Sequence, residues 1–296
     1  MFCKQCGEEI QHENAKFCRN CGTPTSKSVV KPTEYSSKAE APRQVDNRTW
    51  WNQMDRKWQP IFRNATDIHT EPTDSDLVKM VQLQELDCSD EGISDLEPLR
   101  PLTNLHKLYC FSNKITDLEP LRPLTNLQQL GCRSNQISNL EPLRPLTNLQ
   151  QLGCRSNQIS NLEPLRQLSS LQELYCSSNK ITDLELLRPL TSLQKLDCSS
   201  NKISDLEPLR PLTNLQQLYC YSNKISDLEP LWYLSSLQRL YCSSNKISDL
   251  EPLRDLTNLQ ILNCKENEIG WWYLLKFKMA MPNCRVNKWD DCLIQP

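Results

Sequence analysis

Residues 215 to 236 read LQQLYCYSNKISDLEPLWYLSS, and the same pattern restarts at Leu83, Leu105, Leu127, Leu149, Leu171, Leu193, Leu215, Leu237 and Leu259. Nine 22-residue units therefore fill most of residues 83 to 280. A fixed period this short implies a solenoid, in which each unit stacks only on its neighbours.

Each unit follows LxxLxCxxNxIxxLxxLxxLxx, except that Glu91 replaces Asn in the first. The pattern resembles the 22-residue class of leucine-rich repeat found in bacterial internalins and phosphatase-regulator repeat proteins, with Cys where that family usually has Leu. The resemblance covers about two thirds of the chain. It implies an α/β solenoid whose curved parallel sheet is backed by short convex turns or 3₁₀ segments.

The columns of the repeat have separate physical tasks. Strand alternation sends Leu108 and Cys110 to one face and Lys107, Tyr109 and Phe111 to the other, so stacked strands have an apolar core face and a concave, solvent-facing surface. One unit offers six large apolar side chains, here Leu105, Leu108, Ile115, Leu118, Leu121 and Leu124, and burying each contributes roughly 1.5–3 kcal/mol. Ordering 22 backbone residues costs roughly 22–44 kcal/mol, so a single unit cannot fold alone. The Asn column, Asn113 to Asn267, is read as structural, its amides bonding backbone groups of adjacent turns. The Pro residues of segments such as SDLEPLRPL (204–212) prevent a long helix.

Nine Cys share one core column, Cys88, Cys110, Cys132, Cys154, Cys176, Cys198, Cys220, Cys242 and Cys264. Parallel, in-register rungs keep Cβ atoms roughly 4.8 Å apart, beyond the usual disulfide range of about 3.5–4.5 Å. The column is therefore read as reduced, small, buried hydrophobes.

Outside the repeats, residues 1 to 23 carry Cys3-x2-Cys6 and Cys18-x2-Cys21, each pair followed by Gly. Four thiolates in two knuckles suit one tetrahedral, closed and structural Zn²⁺ site. The segment resembles short bacterial zinc ribbons built on FCxxCG, here Phe2–Gly7 and Phe17–Gly22. Metal binding would supply the fold that so short a chain cannot. Residues 1 to 46 hold seven Lys/Arg against six Asp/Glu, a poor footprint for nucleic acid. Residues 24 to 46, rich in Pro, Ser, Thr and Lys, read as a flexible linker.

Residues 47 to 82 are expected to form a helical N-terminal cap over the first Leu row. Trp50, Trp51, Met54, Trp58, Ile61, Phe62 and Ala65 share a face of a helix that Pro60 should kink or split. Thr73 and Asp76 form the expected capping box of a second helix. After Ile269 a short apolar helix with Trp271, Leu274, Leu275 and Phe277, then a strand near Cys284–Val286, should close the core, with residues 281–296 as C-terminal cap.

Concave positions are the informative ones, because packing does not dictate them. Tyr109, Phe111 and Tyr175 bracket Arg133 and Arg155, and Tyr219, Tyr221 and Tyr241 make a second patch. Aromatics and Arg are the residue types enriched at interface anchors, so these eight are the candidate partner-binding residues. An acidic group of a partner fits over Arg133 and Arg155, where Gly131 and Gly153 clear space. Residues 126–144 also recur unchanged as 148–166, so duplication accounts for the second Arg equally well.

The remaining sequence excludes most other classes. His12, His69 and His106 are scattered, and there is no nucleotide-binding Gly motif among six Gly, so no enzyme is indicated. Net charge is −2, mean hydropathy is −0.60, and neither an apolar span nor a signal-peptide core is present. The expectation is a cytoplasmic, monomeric, non-catalytic scaffold that binds protein partners. A nucleic-acid-associated role for the ribbon and a regulatory subunit of an enzyme such as a phosphatase remain the alternatives.

Overall fold

A computed structural model describes residues 46–287. The expected zinc ligands Cys3, Cys6, Cys18 and Cys21, the linker as far as Val45, and Cys292 lie outside the described residues.

Among the described residues, ten three-residue strands form one parallel sheet in strict chain order. They are Glu85–Asp87 (β1), Lys107–Tyr109 (β2), Gln129–Gly131 (β3), Gln151–Gly153 (β4), Glu173–Tyr175 (β5), Lys195–Asp197 (β6), Gln217–Tyr219 (β7), Arg239–Tyr241 (β8), Ile261–Asn263 (β9) and Arg285–Asn287 (β10). Register within the repeats is one period, so Leu86 faces Leu108, which faces Leu130. Each central Leu is buried and each flanking residue of β2 to β7 half-buried, as alternation requires.

After each strand the chain must reverse, and the residue before Asn adopts the left-handed conformation. Ser112, Ser134, Ser156, Ser178, Ser200, Ser222 and Ser244 all have φ between 52° and 57°. The following Asn then ties two rungs together. The Asn201 amide donates to the carbonyls of Cys198 and Ser199 in its own unit and of Cys176 in the preceding one. Its carbonyl accepts from the Ile181 N–H at 3.0 Å. The same pattern runs from Asn113 to Asn267. Glu91 stands in the one unit that has no earlier rung to tie.

The convex side carries 3₁₀ turns, from Glu97–Leu99 to Glu251–Leu253. Pro at the second position of most turns lacks a donor that the turn would leave unpaired in any case. Asp95, Asn139 or Asp205 accepts from the N–H two residues on, which caps each turn. Glu and Arg three apart pair on the outside, as in Arg122–Glu119 and Arg188–Glu185. These pairs are exposed and contribute little each.

The N-terminal cap consists of Asn47–Gln53 (α1), Trp58–Thr66 (α2) and Asp74–Val81 (α3). Trp51, Trp58, Phe62, Leu77 and Met80 are essentially inaccessible. The indole N–H groups of Trp50 and Trp58 donate to the carbonyls of Pro98 and Asp95, which fastens the cap to the first repeat. Thr73 and Asp76 form the reciprocal capping box. The cap departs from expectation at two places. The helix breaks at Met54–Lys57, not at Pro60, which sits in the first turn of α2 where a missing N–H costs nothing. Ala65 is exposed, not part of the cap core.

At the other end Trp271–Ala280 (α4) replaces the ninth convex turn and β10 closes the sheet. Leu274, Phe277 and Met281, at i, i+3 and i+7, face the core. Trp271 and Leu275, expected to close the core, are 70% and 42% exposed. Apart from Lys276 and Lys278 the helix is apolar, with such residues on opposite sides, and only one side docks.

Candidate functional site

The concave face is built by three outward columns, one on each side of the central Leu and one beyond the Cys. Because every strand pairs in register, residues of one column lie roughly 4.8 Å apart from rung to rung. Positions far apart in sequence thereby become neighbours.

Around β2 to β4, Tyr109 leans over Gly131. A Cβ added at Gly131 would meet the Tyr109 ring at 3.0 Å, so this glycine makes room for the aromatic. The Tyr109 hydroxyl donates to the Gln129 amide oxygen at 3.1 Å, which holds the ring down. Phe111 lies beneath Arg133, whose guanidinium is 4.6 Å from the ring centroid. The space expected over both glycines is thus reduced to that over Gly153, where nothing approaches closer than ordinary contact. Arg133 and Arg155 are both exposed, and neither forms an ion pair among the described residues.

Around β5 to β8 the tyrosines are half-buried and individually anchored. Tyr175 donates to Glu173 at 2.7 Å, and Glu173 also receives the Lys195 ammonium at 2.7 Å. Burial, followed by the bond to Glu173, pushes the Tyr175 phenol well above its ordinary value. Tyr219 donates to the Gln217 amide oxygen and stacks on Tyr241, with centroids 4.6 Å apart and planes 5° from parallel. Tyr221 lies beside this stack in the outer column, half-buried. The structure therefore gathers the eight candidate residues into two groups on one face, Tyr109, Phe111, Arg133 and Arg155 in the first and Tyr175, Tyr219, Tyr221 and Tyr241 in the second.

Two further features were not singled out from the sequence. Asp197 stands in the tyrosine column between Tyr175 and Tyr219, oriented by the buried Ser199. Its place in the repeat was the available signal. On the convex side Trp232, Tyr233, Trp271, Trp272 and Met279 are exposed, with Arg210 lying over Tyr233. Apolar residues where other units carry Arg and Pro were the signal for Trp232 and Tyr233.

The inner column offers no chemistry at the surface. Among the described residues ten cysteines, Cys88 to Cys284, are buried and form no disulfide. Burial pushes the Cys132 thiol up to about 12 and Cys284 to about 11, so neither supplies a thiolate near neutrality. Among the described residues no group of three or more metal-binding side chains converges, and no helix is long and apolar enough to cross a membrane.

Comparison with known proteins agrees with this geometry. A family model described as leucine-rich repeats (2 copies) matches residues 81–123, 103–145, 125–167, 147–189, 169–211, 191–231 and 235–271. The internalin InlF of Listeria monocytogenes is similar at 32% identity over 73% of this chain, with a TM-score of 0.69. This chain covers 64% of that one. The internalin InlC2 of the same organism shares 33% identity over 73% of this chain and 94% of its own, with a TM-score of 0.67. The functional domain of InlJ, described as including a cysteine ladder, is 30% identical over 79% of this chain and 54% of its own, with a TM-score of 0.62. No curated protein matches the sequence.

Proposed function

The chain belongs to the leucine-rich repeat family, with internalin-like repeats, and from that premise we propose that it is a non-catalytic protein-interaction scaffold that recognises its partner on the concave face. Leucine-rich repeat proteins commonly serve as such scaffolds, and the concave columns are the part of this one that packing leaves free to vary. The observation that carries the reading is the row of anchored, half-buried tyrosines at Tyr109, Tyr175, Tyr219 and Tyr241, held by bonds to neighbouring polar side chains or by stacking. Fixed aromatics give large contact area at small entropic cost.

The same proposal assigns one structural Zn²⁺ to Cys3, Cys6, Cys18 and Cys21, on the chemistry of a four-thiolate donor set. The ribbon would then offer a second contact, and tethering it to the solenoid raises avidity through effective concentration. A reduced, intracellular setting suits both the zinc thiolates and the buried cysteine column.

Affinity capture from native lysate tests the reading, using the full chain, a variant with Tyr109, Tyr175, Tyr219 and Tyr241 changed to Ala, and a chain lacking residues 1–46. A protein lost only from the tyrosine variant supports the concave face. A catch that survives that variant and vanishes without residues 1–46 moves recognition to the ribbon and overturns the proposal.

A further inference from the structure

Among the described residues, the charges of β5 and β6 are arranged so that one carboxylate is left over. Lys195 is drawn across to Glu173 and bonded to it at 2.7 Å, and the Tyr175 hydroxyl donates to the other Glu173 oxygen. Asp197, two residues along the same strand as Lys195, has no cationic partner. Its Oδ1 accepts both the N–H and the hydroxyl of Ser199, a fully buried residue. That bond pair fixes the carboxylate and leaves Oδ2 free.

The walls beside it are aromatic. Asp197 pairs in register with Tyr175 on one side and Tyr219 on the other. The two tyrosines are therefore roughly 9–10 Å apart at the backbone, with Asp197 on the rung between them. Both phenols are tethered, and Tyr241 backs Tyr219 by stacking, so the walls are set before anything binds. Asp87, the other carboxylate of this column, has a tyrosine on one side only, Tyr109. The nearby cations are Lys195, already held by Glu173, and Arg239 beside Tyr219 on the next rung but one.

A fixed carboxylate flanked by two aromatic side chains favours a cation twice, by a charge-assisted hydrogen bond and by attraction to the aromatic rings. We propose that Asp197, between Tyr175 and Tyr219, seats a basic side chain, arginine or lysine, of the bound protein partner. This rests on the concave-face reading above and narrows it to one subsite with a sign of charge. Guanidinium is the better fit, since it can stack on an aromatic ring while its edge donates to Oδ2.

The test uses the full chain with ¹³C-labelled tyrosine and three blocked pentapeptides, Gly-Ser-X-Ser-Gly with X as arginine, citrulline or glutamate, followed by NMR. Tyr175→Phe and Tyr219→Phe assign the two ring signals. The arginine peptide should shift both, and Asp197→Asn should weaken that binding about tenfold, as expected for loss of one charge-assisted contact. Ser199→Ala, which frees the carboxylate without removing its charge, should weaken it less. Equal binding of the arginine and citrulline peptides, or undiminished binding to a folded Asp197→Asn variant, would overturn the proposal. If capture of the natural partner depends on the tyrosines yet is indifferent to Asp197→Asn, the concave-face reading stands and this subsite falls.

Discussion

Tyr219 and Tyr241, twenty-two residues apart in sequence, lie face to face with centroids 4.6 Å apart and an interplanar angle of 5°. The stack exists because β7 and β8 pair in register, so the same column position recurs on the next rung. Parallel aromatic pairs contribute about 0.5–1.5 kcal/mol beyond their area burial. A double-mutant cycle with Tyr219→Leu and Tyr241→Leu in urea unfolding should therefore return a coupling energy of about 0.5–1.5 kcal/mol. Additive single effects would mean that the stack contributes nothing to the fold.

Rung-to-rung ties should matter more than any surface pair. Asn201→Leu removes the acceptor of the Ile181 N–H and the donor to three carbonyls in one step. Each buried group left unsatisfied costs about 1–3 kcal/mol, so the loss should reach several kcal/mol. Since a solenoid is coupled only through neighbours, the variant should unfold in two urea transitions divided near that rung. A single transition with an unchanged midpoint would contradict this account of the Asn column.

The turn before each Asn stores strain that glycine relieves. Ser200 sits at φ 52°, a conformation that disfavours a Cβ and suits glycine. Ser200→Gly should stabilise by about 0.5–1 kcal/mol, and Ser200→Val should destabilise by more than that. The order of urea midpoints of the three proteins checks it. Valine matching serine would show that the turn carries no such strain.

Much of this architecture was legible because the repeat period and the strand alternation agree. The Leu and Cys columns, the Asn ties and the 3₁₀ turns follow from spacing and from the need to pair buried backbone groups. The break between α1 and α2 was not legible, since the apolar spacing of Trp50, Met54, Trp58 and Ile61 runs through it undisturbed. The docked side of α4 was hidden for a related reason. Trp272, Leu275 and Met279 repeat the i, i+3, i+7 spacing of Leu274, Phe277 and Met281 on the opposite face, and periodicity does not choose between them. Alternation alone puts the candidate residues on the face of the sheet opposite the Leu and Cys core. How they touch, with Tyr109 over Gly131 and Phe111 under Arg133, depends on rotamers that spacing does not encode.

The zinc proposed for residues 1–23 gives a prediction separable from those for the solenoid. Elemental analysis of purified protein should find one zinc per chain, and Cys18→Ser should abolish it, because a structural site needs all four ligands. A chelator should leave the urea midpoint of the repeats unchanged, since each rung is stabilised by its own neighbours. Full zinc content in Cys18→Ser would remove the four-cysteine assignment.

Alkali should unfold the repeats abruptly. In the folded chain burial raises the thiols of Cys88, Cys110, Cys132, Cys154, Cys176, Cys198, Cys220 and Cys242 above the ordinary value of 9.0. In the unfolded chain the same thiols ionise near 9.0. Above that pH the folded state holds more protons than the unfolded one, so stability falls as pH rises. The contribution is complete below pH 9.0 and declines from there toward the folded values, with Cys132 at about 12. Each such thiol lowers stability by about 1.4 kcal/mol per pH unit in that window, so the column acts as a steep cooperative trigger. Under reducing conditions the urea midpoint should hold between pH 7 and 8.5 and drop sharply by about pH 10. Cys132→Val, which deletes one titrating group from the column, should make the decline shallower by one proton. A midpoint that stays level to pH 10 in the wild-type chain would mean the thiols are not buried as described.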